Sequence, residues 1–208
     1  GIVPAPAGYW QQVREICDRH GVLWIADEVQ CGYGRTGCFF AFEHAGVVPD
    51  IVCLAKSLGG GMAALGATIS RRPLFMRAYG KPKTALVHAP ATFGGIGNSC
   101  AVAIEALNLL YDEALIDNAA TQGAYLLDRL AALQRKYPSM IKDVRGQGLM
   151  VGVEFHDISR TLPPGVRQAV SVLDDKLKGS LCGFVGSLLL REYAVLVAST
   201  LRVSGGWL

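Results

Sequence analysis

The chain has 208 residues, enough to bury the core of one large domain or of one domain and part of a second. Hydrophobic residues make up 51% and charged residues 18% of the sequence, a balance typical of a globular protein and not of a disordered one. The net charge of +3 arises from scattered lysines and arginines without a basic stripe, so we expect no nucleic-acid partner.

The cysteines and the apolar segments indicate the cellular compartment of the protein. The six cysteines form neither a CxxC pair nor a regular framework, so we expect reduced thiols and a cytoplasmic location. The first ten residues do not join a basic region to an apolar run, and no signal peptide is expected. The longest uncharged run, from Thr84 to Ile104, is interrupted by Pro90 and several glycines, which argues against a membrane span.

The first half of the chain predicts one helix and three short strands. Tyr9–His20 has apolar residues at helical spacing, and Gly21 follows as a residue suited to a left-handed cap. Short apolar runs predict strands over 23–26, 51–55 and 65–70, and the first two are typical of buried parallel strands.

The second half predicts mostly helices. Arg71–Tyr79 is expected to be helical and to be stopped by Gly80 and Pro82, and Asn98 is expected to cap a helix that runs to about Leu110. A longer helix is predicted over 115–137, ended by Pro138, with an apolar side formed by Leu126, Leu127, Leu130 and Leu133. Further on, the patterns predict a strand over 148–155, helices near 166–177 and 181–191, and a last strand over 193–199.

Two of the predicted strands lead directly into charged residues. The first strand leads into Asp27 and the second into Lys56, and a glycine-rich segment follows each of them. Ligands of open α/β sheets bind at the carboxyl ends of the strands. We therefore expect Asp27 and Lys56 to share one site whose chemistry uses both an anion and an amine.

Several separate motifs of the chain resemble one enzyme family in the family's own order. They are ADEVQCGYGRTGCFFAFEHAGVVPDIVCLAKSLGGGMAALGA, then TFGG, DNAATQGAYLLDRLAAL and DVRGQGLMVGVEF. Together they resemble class III aminotransferases, which use pyridoxal phosphate and have fold type I. The segment LREYAVLVAST is similar to the group that acts on putrescine, ornithine and other ω-amines. The resemblance implies an α/β large domain with a mostly parallel sheet, and an α+β small domain at the C-terminal end.

The resemblance also implies a role for five residues. Lys56 would hold the cofactor as a Schiff base and then move the proton between substrate and cofactor. Asp27 would pair with the pyridine nitrogen, Val29 would pack on the ring, and Gln30 would bond near its phenolic oxygen. Thr92 would contact the cofactor phosphate of the partner subunit, which implies a homodimer. Without the resemblance, a turn cap is the better interpretation of Asp27, and Thr92 is a turn residue. Val29 is then as readily a core residue, and the alternative for Lys56 is a surface lysine after a strand.

Other polar residues favour a structural interpretation. Arg35 orders its loop or lines the site, and loop structure is the better explanation. Cys31 and Cys38, which flank the glycine-rich segment, are expected to be packing thiols and not nucleophiles. The four histidines are scattered, with no metal-ligand spacing.

The chain also departs from the family's pattern at both ends. Its first residues match a point well inside the pattern, so we expect residues 1–97 to be the C-terminal half of the large domain. Residues 98–208 would be a linking helix and most of the small domain. Arg202 lacks the context of the family's carboxylate-binding arginine, and that role is not assigned to it. The alternatives to transamination are another pyridoxal phosphate reaction on the same fold (aminomutase, racemase or phospho-lyase) and an inactive fragment.

Overall fold

The structure, a computed structural model, describes residues 2–87 and 95–156. The helices and strands of these residues are α1 (Tyr9–His20), β1 (Ile25–Asp27), β2 (Ile51–Leu54), β3 (Ala67–Ser70), α2 (Arg72–Tyr79), α3 (Pro82–Val87), α4 (Gly97–Asp112), α5 (Leu115–Lys136), β4 (Ile141–Gln147) and β5 (Met150–Phe155). The helices predicted near 166–177 and 181–191 and the strand predicted over 193–199 lie outside the described residues.

Helix α1 has the bounds that its sequence predicts. Gly21 adopts the left-handed conformation at φ 63°, and its N–H donates to the carbonyl of Asp18, as expected for a C-terminal cap. Trp10 stacks on Trp24 with ring centroids 5.7 Å apart, which joins the helix to the residue just before β1. The helix therefore covers the start of the first strand.

The first three strands form one mixed sheet in the order β1-β2-β3. β1 pairs with β2 in parallel, as predicted, whereas β3 pairs with β2 antiparallel, with Leu54 opposite Ala67. The segment between β2 and β3 contains only a short 3₁₀ helix, Lys56–Gly59. A parallel return would require a long crossover, so this short connection brings β3 back in the opposite direction.

The prediction that the first two strands are buried was only half right. In β1 the side chains alternate, so that Trp24, Ala26 and Glu28 are buried while Ile25 is 56% exposed. The buried side of β2 contributes to a core cluster formed by Val52, Leu54, Leu58, Tyr33, Phe40, Phe42, Leu65 and Ala67. Within the described residues, this cluster covers one face of the sheet.

Two expectations about the helices are corrected by the structure. Helix α4 begins at Gly97 with Ile96 as its cap residue, and no side chain caps it, so Asn98 lies inside the first turn and is not the cap. In α5, Leu126 and Leu133 are 39% and 44% exposed, whereas Leu127 and Leu130 are half-buried, as predicted. The most buried residues are Ala119 and Gly123, so the inward side of the helix begins with small residues, which allow close packing.

Strands β4 and β5 form an antiparallel hairpin, and Gly148 and Leu149 make its turn. The sequence predicted β5 but not β4. The hairpin packs mainly against α5. Its turn lies close to α5, because a Cβ on Gly123 would meet the carbonyl group of Gly148. It also lies close to the glycine loop (residues 28–40), because a Cβ on Gly148 would stand 2.4 Å from the carbonyl carbon of Thr36.

The boundary predicted between residues 97 and 98 falls at the start of α4 and stays a prediction. Among residues 2–87 and 95–156, no helix combines the length and the apolar character that crossing a membrane requires.

Candidate active site

Asp27 and Lys56 lie at the same edge of the sheet. Asp27 is the last residue of β1, and Lys56 follows β2 by two residues, at the start of the short 3₁₀ helix. Because the two strands are parallel and adjacent, with Asp27 opposite Cys53, their carboxyl ends open on one side. Both side chains are exposed there, so the described residues leave them accessible to a ligand.

Lys56 has an unusual backbone and, among the described residues, a single polar partner. Its φ is 49°, in the left-handed region that non-glycine residues avoid at a cost of about 1 kcal/mol. Such conformations concentrate at functional sites. Its Nζ donates to Oε1 of Gln30 at 3.3 Å, and no carboxylate among the described residues forms an ion pair with it. The side chain of Lys56 is exposed.

The Asp27 carboxylate serves partly as a turn cap. Its Oδ1 accepts the backbone N–H of Val29 at 3.1 Å, a local bond typical of Asp at the start of a turn. Its second oxygen, Oδ2, has no partner within the part of the chain that the structure describes. The carboxylate is therefore held in place by one oxygen and free to bind through the other.

Val29 and Gln30 continue the glycine loop beyond Asp27. Val29 is half-buried, which suits either packing on a ligand or packing in the core. Gln30 is exposed, and its side-chain oxygen accepts the hydrogen bond from Lys56. Thr92 lies outside the described residues.

Arg35 connects three parts of the structure near this edge. Its guanidinium Nη2 donates to the hydroxyl of Ser57 at 3.3 Å, one residue beyond Lys56. Its carbonyl accepts the N–H of Leu149 from the hairpin turn at 3.0 Å. Arg35 thus ties the glycine loop to the Lys56 turn and to the β4–β5 hairpin, which supports its structural interpretation.

Glu28, between Asp27 and Val29, received no role from the sequence. It is 4% exposed, and its carboxylate accepts the backbone N–H groups of Ala41 and Phe42, both at 3.1 Å. Burial raises the pKa of this carboxyl, and the two amide donors oppose the rise. The signal in the sequence was the alternation of β1, which places residue 28 on the buried side.

The cysteines near the loop behave as packing thiols. Burial raises the pKa of both Cys31 and Cys38, so both favour the protonated, poorly nucleophilic form. The Sγ of Cys38 lies 3.6 Å from Nδ1 of His44, whose Nε2 is 3.1 Å from the carbonyl of Thr36.

Comparison with known proteins identifies the family. The model of the class III aminotransferases matches residues 1–199, so the chain belongs to the class III aminotransferase family. Its mixed α/β fold is the fold of that family, and the enzymes of the family depend on pyridoxal phosphate. The family that the sequence motifs resembled is therefore confirmed.

Solved structures agree with this assignment. An amine transaminase from an uncultivated Pseudomonas species is 38% identical, with a TM-score of 0.71 over 80% of this chain and 38% of that one. The ornithine aminotransferase of Plasmodium yoelii is 34% identical, with a TM-score of 0.68 over 76% of this chain and 40% of that one. An aminotransferase from Bacillus anthracis is 37% identical, with a TM-score of 0.69 over 76% and 35%. The chain thus spans about two fifths of the length of these relatives.

The residues at the sheet edge fit the cofactor of this family. Within the described residues, an amine without an ion pair, a carboxylate with one unpartnered oxygen and an amide stand at neighbouring positions. These groups suit, respectively, an aldehyde, a protonated ring nitrogen and a phenolic oxygen, which are the reactive parts of pyridoxal phosphate.

Proposed function

We propose that this chain carries the cofactor lysine of a transaminase that moves an amino group from a primary amine or ω-amino acid to a 2-oxo acid. The observation that carries the proposal is the placement of Lys56. It stands at the carboxyl end of β2, strained, exposed and without an ion pair in residues 2–87 and 95–156, beside the strand that ends in Asp27. Ornithine and amine transaminases among its structural relatives support the substrate class.

Each side chain has a distinct task in this proposal. The cofactor supplies an electron sink for bond cleavage at the substrate carbon. Lys56 would hold it covalently through Nζ and would afterwards carry a proton on that same nitrogen. Oδ2 of Asp27 would keep the pyridine nitrogen protonated, since a carboxylate favours a nearby positive charge.

Val29 and Gln30 would complete the contacts to the cofactor ring. Val29 is half-buried on the loop that follows Asp27, where it would pack against one face of the ring. The Gln30 amide, already 3.3 Å from Lys56, would bond to the phenolic oxygen. Both groups orient the cofactor and neither takes part in proton transfer.

We further propose that the enzyme works as a homodimer in which Thr92 contacts the cofactor phosphate of the partner subunit. A cytoplasmic location is also proposed. The five cysteines in the described residues are all free thiols, which suits a reducing compartment.

Reductive trapping tests the central claim. The purified chain is incubated with pyridoxal phosphate, reduced with borohydride and analysed by intact mass and peptide mapping. We expect one adduct, on Lys56, absent from Lys56→Ala and present in Lys81→Ala, which removes another exposed lysine. An adduct that persists in Lys56→Ala would contradict the assignment.

Transfer of the amino group is measured separately. The chain is supplied with a labelled diamine or ω-amino acid and with 2-oxoglutarate or pyruvate. Label recovered in the amino acid product is the expected result. Trapping on Lys56 together with label that stays in an isomer of the donor would favour an aminomutase or a racemase, and label released as ammonia would favour a lyase.

A further inference from the structure

A buried carboxylate adjoins the proposed site without taking part in its chemistry. Glu28 directly follows Asp27, yet its side chain points to the opposite face of β1 and is 4% exposed. Burying a carboxylate is costly unless its oxygens are hydrogen-bonded. Here Oε2 accepts the N–H of Ala41 and Oε1 accepts the N–H of Phe42, each at 3.1 Å.

These two bonds close the glycine loop. The loop leaves the sheet at Glu28 and ends where Ala41 begins a 3₁₀ helix. The Glu28 carboxylate is therefore bonded to two backbone amides that lie 13 and 14 residues further along the chain. The backbone of Glu28 is held as well, because its N–H donates to the carbonyl of Cys53 at 3.0 Å and its own carbonyl accepts from Gly32 at 2.9 Å.

The groups that the loop presents to the site lie next to this closure. Asp27 precedes Glu28, and Val29 and Gln30 follow it, so the three groups proposed to orient the cofactor lie within two residues of the clamped position. Free loops lose conformational entropy when they are ordered, and the two charge-assisted bonds that join the ends of this loop offset part of that cost.

We infer that Glu28 is a positioning residue, whose buried carboxylate clamps the glycine loop so that Asp27 and Gln30 are held for the cofactor. The inference rests on the proposed function and adds to it a residue that touches neither cofactor nor substrate. It predicts that breaking either bond weakens and reorients the bound cofactor without removing the group that attaches it.

Two substitutions break the clamp from opposite ends. Glu28→Gln leaves one acceptor oxygen and turns an amide NH₂ toward the second N–H donor. Ala41→Pro removes one of the donors and keeps the carboxylate. Proline suits this position, because residue 41 opens the 3₁₀ helix and the preceding Phe40 is extended at φ −116° and ψ 144°. Glu43→Gln is the matched control, since Glu43 is an exposed residue of the same helix whose side chain makes no hydrogen bond within residues 2–87 and 95–156.

The cofactor itself supplies the measurements. Titration of the purified chain with pyridoxal phosphate gives the affinity, and the absorption maximum of the bound cofactor reports the hydrogen bonds at its ring. We expect about tenfold weaker binding and a displaced maximum for Glu28→Gln and Ala41→Pro, and values within about twofold of wild type for Glu43→Gln. In the double variant Glu28→Gln, Ala41→Pro, the new amide side chain faces only the N–H of Phe42, which its oxygen can accept. The affinity of the double variant for the cofactor is therefore expected to be no lower than that of Glu28→Gln alone.

The outcomes separate the two claims. Trapping on Lys56 in wild type, with affinity and spectrum unchanged in Glu28→Gln and Ala41→Pro, overturns the positioning role and leaves the proposed function intact. Absence of trapping on Lys56 in wild type overturns both. If Glu28→Gln fails to fold, Ala41→Pro decides, and a wild-type spectrum in that variant overturns the inference.

Discussion

The turn of the β4–β5 hairpin offers the sharpest test of the packing, through Gly148→Ala. Gly148 adopts φ +55°, and a Cβ there would stand 2.4 Å from the carbonyl carbon and 2.6 Å from the carbonyl oxygen of Thr36. These are backbone atoms, so they cannot rotate away as the end of a flexible side chain would. The neighbouring residue, Leu149, donates to the Arg35 carbonyl, so a displaced turn also disturbs the loop beside Lys56.

The expected loss has two parts. The left-handed conformation costs an alanine about 1–2 kcal/mol, and forcing extra volume into a packed contact costs about 1–3 kcal/mol more. The sum is about 2–5 kcal/mol, which for a chain of this size lowers the Tm by roughly 4–20 °C. Gly46→Ala is the control, because Gly46 has φ +65° and, in the part of the chain that the structure describes, no atom beyond its chain neighbours within 4 Å of its Cβ position. Gly46→Ala carries only the conformational cost, so its Tm is expected to fall by roughly 2–8 °C.

Thermal unfolding of the three purified proteins, followed by circular dichroism, measures both values. The difference between the two variants is the steric part of the loss. A Gly148→Ala protein no less stable than Gly46→Ala would refute the close contact between the hairpin turn and the glycine loop.

Three further substitutions test other parts of the structure. Gly123→Ala in α5 is expected to destabilise, although alanine gains about 1 kcal/mol in helix propensity, because its Cβ would stand 2.2 Å from the carbonyl of Gly148; a raised Tm would contradict this. Leu54→Ala, at a position 5% exposed, is expected to lower the free energy of unfolding by about 2–5 kcal/mol in urea titrations. Asp50 accepts the N–H of Trp24 and pairs with Arg14, and these contacts lower the pKa of its carboxyl. The stability that Asp50 contributes is therefore present above the usual Asp pKa, and it is lost as the pH falls through the lowered pKa of the folded protein. The Tm difference between wild type and Asp50→Asn should shrink on going from pH 7 to pH 3, and an equal difference at both would contradict the assignment.

The sequence by itself determined those structural features that depend on residues close together in the chain. Helix α1 ended where its periodicity and its glycine cap predicted, and Asp27 and Lys56 came to one edge because each follows a short apolar run. The family could also be recognised, since its motifs are contiguous runs of residues. These features depend on neighbours in the chain, and neighbours are visible in the sequence.

Only the tertiary structure decided the features that depend on distant pairs. The seven residues of β4, IKDVRGQ, contain two apolar side chains and became a strand through pairing with β5. The direction of β3 and the inward stripe of Ala119 and Gly123 were equally hidden, because each is chosen by the surface that the element meets. The same holds for Glu28. Its neighbours in the sequence explain why it is buried, but its partners lie 13 and 14 residues away, and only the folded loop brings them to it.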